Sequence, residues 1–83
     1  MKYELSHHAL VRVQERKIEF AWLERAITQP EKVEPDPDDP ALEHRLAAIP
    51  ERDYRVIRVV CDPRTTPLNI VTVHFDRSMK GKL

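Results

Sequence analysis

Residues 69–77 read NIVTVHFDR. Apolar and polar side chains alternate along this run, and a period of two is the pattern of a half-buried strand. Val71, Val73 and Phe75 fall on one face, and Ile70, Thr72 and His74 on the other. A strand that hides one face asks for an antiparallel neighbour and a covering layer. The neighbour lies just upstream: residues 54–61, YRVIRVVC, are dense in the β-branched side chains that suit a pleated, half-buried surface. Residues 62–67 join the two runs as a longer turn containing Pro63 and Pro67. Before them, residues 50–53 form a turn, and residues 42–49 read as another strand, although Leu46-Ala47-Ala48 also suits a helix.

The covering layer is at the N-terminus. Leu5, Ala9 and Val13 recur every four residues with Leu10 beside them, and Ser6 stands where an N-cap hydroxyl is needed. A break is expected at Lys17-Ile18. A second helix then places Phe20, Leu23 and Ile27 on one side, with Trp22 and Ala26 nearby, and ends before Pro30. The helices span about residues 6–29. Residues 34–41 form an acidic, proline-stiffened loop, flanked by a short edge strand at Glu31-Lys32-Val33. Strands fill residues 42–77, and residues 78–83 are a frayed tail. The expected fold is a single α+β domain spanning residues 1–83. Two N-terminal helices pack on one face of a three- to four-stranded antiparallel sheet, and the other face is open.

Composition bounds the function. The chain has 83 residues, of which 41% are hydrophobic and 34% charged, so it holds one small core and no second one. At this size a partner, including a second copy in a homodimer, adds stability. Cys61 is the single cysteine, which excludes an intramolecular disulfide and a cysteine zinc site. Gly81 is the single glycine, which excludes Gly-rich phosphate loops. No apolar run approaches the ~18 residues needed to cross a membrane, and Met1-Lys2-Tyr3-Glu4 does not open a signal peptide. A cytoplasmic location follows, and no cofactor is expected. The formal net charge is zero, which argues against coating nucleic acid by bulk electrostatics. The zero is segregated, however: residues 1–30 carry +1, residues 31–43 carry −5 and residues 44–83 carry +4.

His8, Arg12 and Arg16 stand at i, i+4 and i+8 and form one polar ridge along the first helix. Guanidinium forks bind phosphate oxygens and imidazole moves protons near neutral pH, so the ridge suits a phosphodiester. Alternatively, its arginines pair with Glu15, Glu19 or the acidic loop. On the sheet, Arg58, His74 and Tyr54 are expected to share the open face, with His44 or Arg45 beside them. Cross-strand polar decoration is the plainer account of that set. The histidine spacings do not suggest a metal site. Trp22 and Cys61 read as core.

The stretch from Ser6 to Ile18 resembles the opening of a bacterial family of unknown function, DUF4258. Its pattern H-A-x-x-R-x-x-x-R-x-I is met by His8, Ala9, Arg12, Arg16 and Ile18. The second helix ending at Pro30, the strand residues 55–60 and the closing strand residues 71–75 are similar too, so the resemblance covers about residues 5–77. Lys17 departs from the glycine that the family often has there. The resemblance implies a place in the RelE/ParE- and BrnT-like toxin superfamily: two helices, then a four-stranded antiparallel sheet, and metal-independent endoribonuclease chemistry. His8 would then be the acid or base and Arg12 and Arg16 the phosphate holders, with Arg58, His74 and Tyr54 as a second set. The implied partners are RNA and an antitoxin protein. A sequence pI of about 6.9 weighs against a ribosome-dependent toxin, and a non-catalytic module binding protein or nucleic acid is the alternative. The acidic loop, on this reading, lies over the basic site and masks it.

Overall fold

A computed structural model describes residues 2–83. The strands are β1 (Tyr3–Leu5), β2 (Lys32–Pro35), β3 (Glu43–Ile49), β4 (Arg55–Asp62) and β5 (Leu68–Asp76); the helices are α1 (His7–Glu15) and α2 (Phe20–Thr28). Short 3-10 turns occupy Pro50–Arg52 and Arg77–Met79. The strands form one sheet in the order β1-β5-β4-β3-β2, with β1 parallel to β5 and all other pairs antiparallel. No helix among the described residues is long and apolar enough to cross a membrane.

The fold is α+β, as the sequence implies, but two details differ. The sheet has five strands and is mixed, not three- or four-stranded and antiparallel. The helices are also not the first elements, because β1 precedes α1. A three-residue strand is too short to display a period, and its partner lies some sixty residues away, so local patterning carries no trace of it. Of residues 42–49, which also suit a helix in part, Glu43–Ile49 form a strand: Leu46, Ala47 and Ile49 are buried between β2 and β4 instead of forming a helical stripe.

One layer of core lies between the helices and the sheet. Ala9 and Val13 of α1, Ile18, and Trp22, Leu23, Ala26 and Ile27 of α2 meet Ala47, Ile49, Ile57, Val59, Cys61, Leu68, Ile70 and Val73. Burying each Leu, Ile or Val contributes about 1.5–3 kcal/mol, enough in sum to hold so short a chain. The alternation along β5 is interrupted. Cys61 pairs with Ile70 while Val60 pairs with Thr72, so Val71 is an extra, bulged residue. Ile70 therefore joins Val73 and Phe75 on the helix side, and Val71 does not take the core place that strict alternation assigns to it.

The far face is not open either. Leu46, Val56 and Val60 are buried there. Their cross-strand partners are Arg58, Asp76 and His44, respectively, whose side chains form a connected polar layer.

Both ends of α1 are specified by sequence. The Ser6 N–H donates to the Ile70 carbonyl at 3.0 Å, and its hydroxyl donates to the Val71 carbonyl at 2.9 Å. The same hydroxyl accepts from the Ala9 N–H at 3.0 Å, which caps the helix. At the other end Lys17 takes a left-handed conformation (φ 53°). The Ile18 N–H reaches the Val13 carbonyl and the Lys17 N–H reaches the Gln14 carbonyl, which is a Schellman closure. Lys17 thus adopts the backbone that a glycine would take more readily.

Two stability measurements check these ends. Ser6→Ala removes a cap and a tie to β5, and should cost about 1–2 kcal/mol in urea unfolding. Lys17→Gly relieves the left-handed strain without touching the core, and should add about 0.5–1 kcal/mol. A destabilised Lys17→Gly protein would contradict the closure described.

Candidate functional site

β1 is so short that it pairs with β5 only at Leu68, Asn69 and Ile70. From Val71 onward the edge of β5 has no strand beside it, and α1 packs chiefly on β5. A cleft of about 680 Å³ opens there. α1 turns Ala9 and Val13 into the core, and the adjoining ridge of His8, Arg12 and Arg16 lines the cleft. β5 contributes Thr72 and His74 from its far face and Phe75 from its helix face, so the cleft wraps around the uncovered edge. Arg52 from the first 3-10 turn, Arg55 at the start of β4 and Arg77 from the second 3-10 turn complete it.

The lining holds five arginines and two histidines and no carboxylate. Arg12 pairs with Glu15 at 3.3 Å, but both side chains are largely solvated and such a pair neutralises little. Arg16, Arg52, Arg55 and Arg77 have no ion-pair partner among the described residues. His74 is exposed to solvent on one side, but its neighbours still strip part of its hydration, and the positive charges of Arg58 and, more weakly, Arg16 add to that loss against the opposing pull of Asp76. Its pKa is pushed below the ordinary imidazole value, which keeps it neutral and able to accept a proton at pH 7.

A sequence profile described as a domain of unknown function, DUF4258, matches residues 5–75. The chain belongs to the DUF4258 family. The match takes in every lining residue of the cleft except Arg77. No curated protein and no solved structure matches the chain. In this DUF4258 domain the opening motif is thus the α1 side of the cleft: Ala9 packs inward, His8, Arg12 and Arg16 line the opening, and Ile18 closes the helix end.

The residues singled out on the sheet separate. His74 lines the cleft, whereas Arg58 and Tyr54 do not. Arg58 faces away from the helices and is engaged on every side. It donates to Glu34 at 2.7 Å, to Asp76 at 2.9 Å and to His44 Nδ1 at 2.7 Å. Because guanidinium only donates, His44 Nδ1 accepts, and His44 Nε2 donates to Asp36 at 2.6 Å. Tyr54 is a left-handed turn residue (φ 60°) ahead of β4 and does not share a strand face with Arg58. Arg45 is spent on Glu43 and on the Ile27 carbonyl at the end of α2. Burial pushes the Cys61 thiol up, so it is a core residue and not a nucleophile.

The acidic loop does not mask the cleft. Asp36 is tied to His44 and Glu34 to Arg58, which holds the loop at the β2–β3 edge, the opposite side of the sheet. Sequence reasoning did not place Arg52 and Arg77 in a site, because each sits beside an acid, in Glu51-Arg52-Asp53 and Asp76-Arg77. In the fold those acids are engaged elsewhere. Glu51 chelates Arg25 at 2.9 and 3.1 Å, Asp53 takes Lys80 at 2.8 Å, and Asp76 takes Arg58 and Ser78.

The far-face network makes a pH prediction. Hydrogen bonds hold the pKa of Glu34 (from Arg58), Asp36 (from His44) and Asp76 (from Ser78, with Arg58 adding) below their usual values. Depressed carboxylates stabilise the fold above their unfolded pKa, near 4, and that stability is lost as pH falls through the folded values. Arg58→Met should cost about 2 kcal/mol at pH 7, the carboxylates keeping some access to water. The gap from wild type should narrow by pH 3. Urea midpoints at the two pH values decide it, and an equal gap at both would show that Arg58 acts by packing alone.

Proposed function

We propose that this domain binds RNA in the α1–β5 cleft and cleaves it by transesterification. The observation that carries the reading is the composition of the cleft: five guanidiniums and two imidazoles converge with no carboxylate among them. Such a lining attracts a polyanion and repels nothing in it. Arginine forks suit non-bridging phosphate oxygens.

The chemistry needs a base, an acid and charge stabilisation. His74, kept neutral by its surroundings, takes the proton of a ribose 2′-hydroxyl. The 2′-oxygen attacks the adjacent phosphorus and forms a new P–O bond. The bond from phosphorus to the 5′-oxygen breaks, and His8 gives that leaving oxygen its proton. A 2′,3′-cyclic phosphate and a free 5′-hydroxyl result. Arg12 and Arg16 hold the phosphorane oxygens, on which charge builds up in the transition state. Side chains supply every role, so the reaction is written without a metal. Membership of a RelE/ParE- and BrnT-like superfamily, and neutralisation by an antitoxin protein, belong to the same proposal.

The test is incubation of purified protein with single-stranded RNA. Cleavage should continue in EDTA and leave 2′,3′-cyclic phosphate ends. His8→Ala and His74→Ala should each lower the rate on the order of 10²-fold or more. The rate should follow a bell-shaped pH profile, and expression should arrest growth in wild type only. RNA left intact but bound would reduce the cleft to a binding module, and harmless expression beside intact RNA would end the nuclease reading.

A further inference from the structure

Arg52 and Arg55 stand apart from the α1 ridge. They come from the 3-10 turn after β3 and from the first residue of β4, and they are held by aromatic rings instead of acids. The Arg52 guanidinium lies 5.4 Å from the Trp22 ring centroid and 5.3 Å from that of Phe75, and Arg55 lies 5.9 Å from Phe75. A ring face fixes the plane of a guanidinium without neutralising it, and leaves its N–H edge free to fork onto an oxyanion.

The neighbouring carboxylates are diverted. Glu51 is bound by Arg25, and Asp53, which still feels Arg55, is bound by Lys80. The backbone between the two arginines is strained as well: Asp53 (φ 54°) and Tyr54 (φ 60°) are both left-handed, and neither is glycine. Backbone of that kind is costly for residues with a side chain and persists where the surroundings enforce it. Here it brings Arg52 and Arg55 to the same cleft from either side of the turn.

We infer that Arg52 and Arg55, seated on Trp22 and Phe75, form a second phosphate-binding position beside that of Arg12 and Arg16. The cleft's substrate class is therefore a single RNA strand engaged through consecutive phosphates, not a lone nucleotide or a dinucleotide. Arg52 and Arg55 are positioning residues: they grip the neighbouring phosphate and seat the scissile one against His8 and His74. The inference rests on the RNA reading but not on cleavage.

The experiment uses fluorescein-labelled 2′-O-methyl hexauridylate, which lacks the attacking hydroxyl, and the matching dinucleotide with one phosphate. Anisotropy titrations across a range of salt report affinity and the number of phosphates engaged. Each contact to a single strand contributes about 0.7 to the slope of log K against log salt. Arg52→Ala/Arg55→Ala should reduce the slope for the hexamer by about 0.7–1.4 and its affinity roughly tenfold at low salt. The Arg52→Lys/Arg55→Lys variant, with charge restored, should recover the slope. If the double alanine variant melts early, Arg55→Ala alone carries the test with about half the change in slope, because Arg52 keeps its rings.

An unchanged hexamer slope would overturn the inference, and so would an equal fractional loss on the dinucleotide, which would merge the two positions into one. Loss of slope in a protein that never cleaves RNA upholds the second position and sinks the nuclease. Cleavage with the slope unchanged does the reverse.

Discussion

Ser6 is the residue on which the arrangement turns. In one side chain and one amide it ends β1, caps α1 and fastens both to the bulge in β5. The bulge matters because it carries Ile70 to the core side while leaving His74 and Thr72 on the other face. The backbone at the bulge would lack ladder partners, and Ser6 supplies them. Since β1 stops there, the last part of β5 is an exposed edge. Bare edges invite pairing with other chains, and positive side chains crowded along them discourage it. The positive charge of the cleft thus works against edge-to-edge pairing along that part of β5.

Charge is sorted by the same geometry. Arg58 and Arg55 are three residues apart on one strand and point to opposite faces, and their fates differ entirely. Arg58 is locked among Glu34, Asp76 and His44, whereas Arg55 meets a ring. The acidic residues of the β2–β3 edge lie three strand spacings from β5, roughly 14 Å at the usual separation. That exceeds the ~8–10 Å over which salt screens exposed charges in physiological buffer. A formal charge of zero therefore coexists with a strongly positive hollow.

Much of this was written in plain local code. Alternation exposed β4 and β5, four-residue spacing exposed α1, and proline marked the end of α2, because each is a short-range regularity. The α1 ridge was legible for the same reason: three polar residues at helical spacing beside an apolar stripe. β1 and its parallel pairing were not, since they are set by partners more than sixty positions away, and the bulge was not, since it is a slip of register between β4 and β5 that strict alternation does not reveal. Arg52 and Arg77 stayed hidden because adjacent acids cancel them on paper. Only the fold shows those acids turned toward Arg25, Lys80 and Arg58. Arg58 faces away from the helices, as the alternation along β4 implies, but its engagement depends on β2 and on the proline-rich loop.

The parallel pairing of β1 with β5 has a temporal consequence. α1 and β5 are the first helix and the last strand of the chain, and neither holds the cleft without the other. Contacts of such long sequence separation cost more loop-closure entropy than local hairpins such as β3–β4. While the chain is being synthesised, residues 7–16 can coil into a helix, but they have no strand to dock on until residues 68–76 have emerged. The basic hollow therefore cannot be assembled before β5 is complete, and a chain interrupted before β5 displays its arginines without ever gathering them.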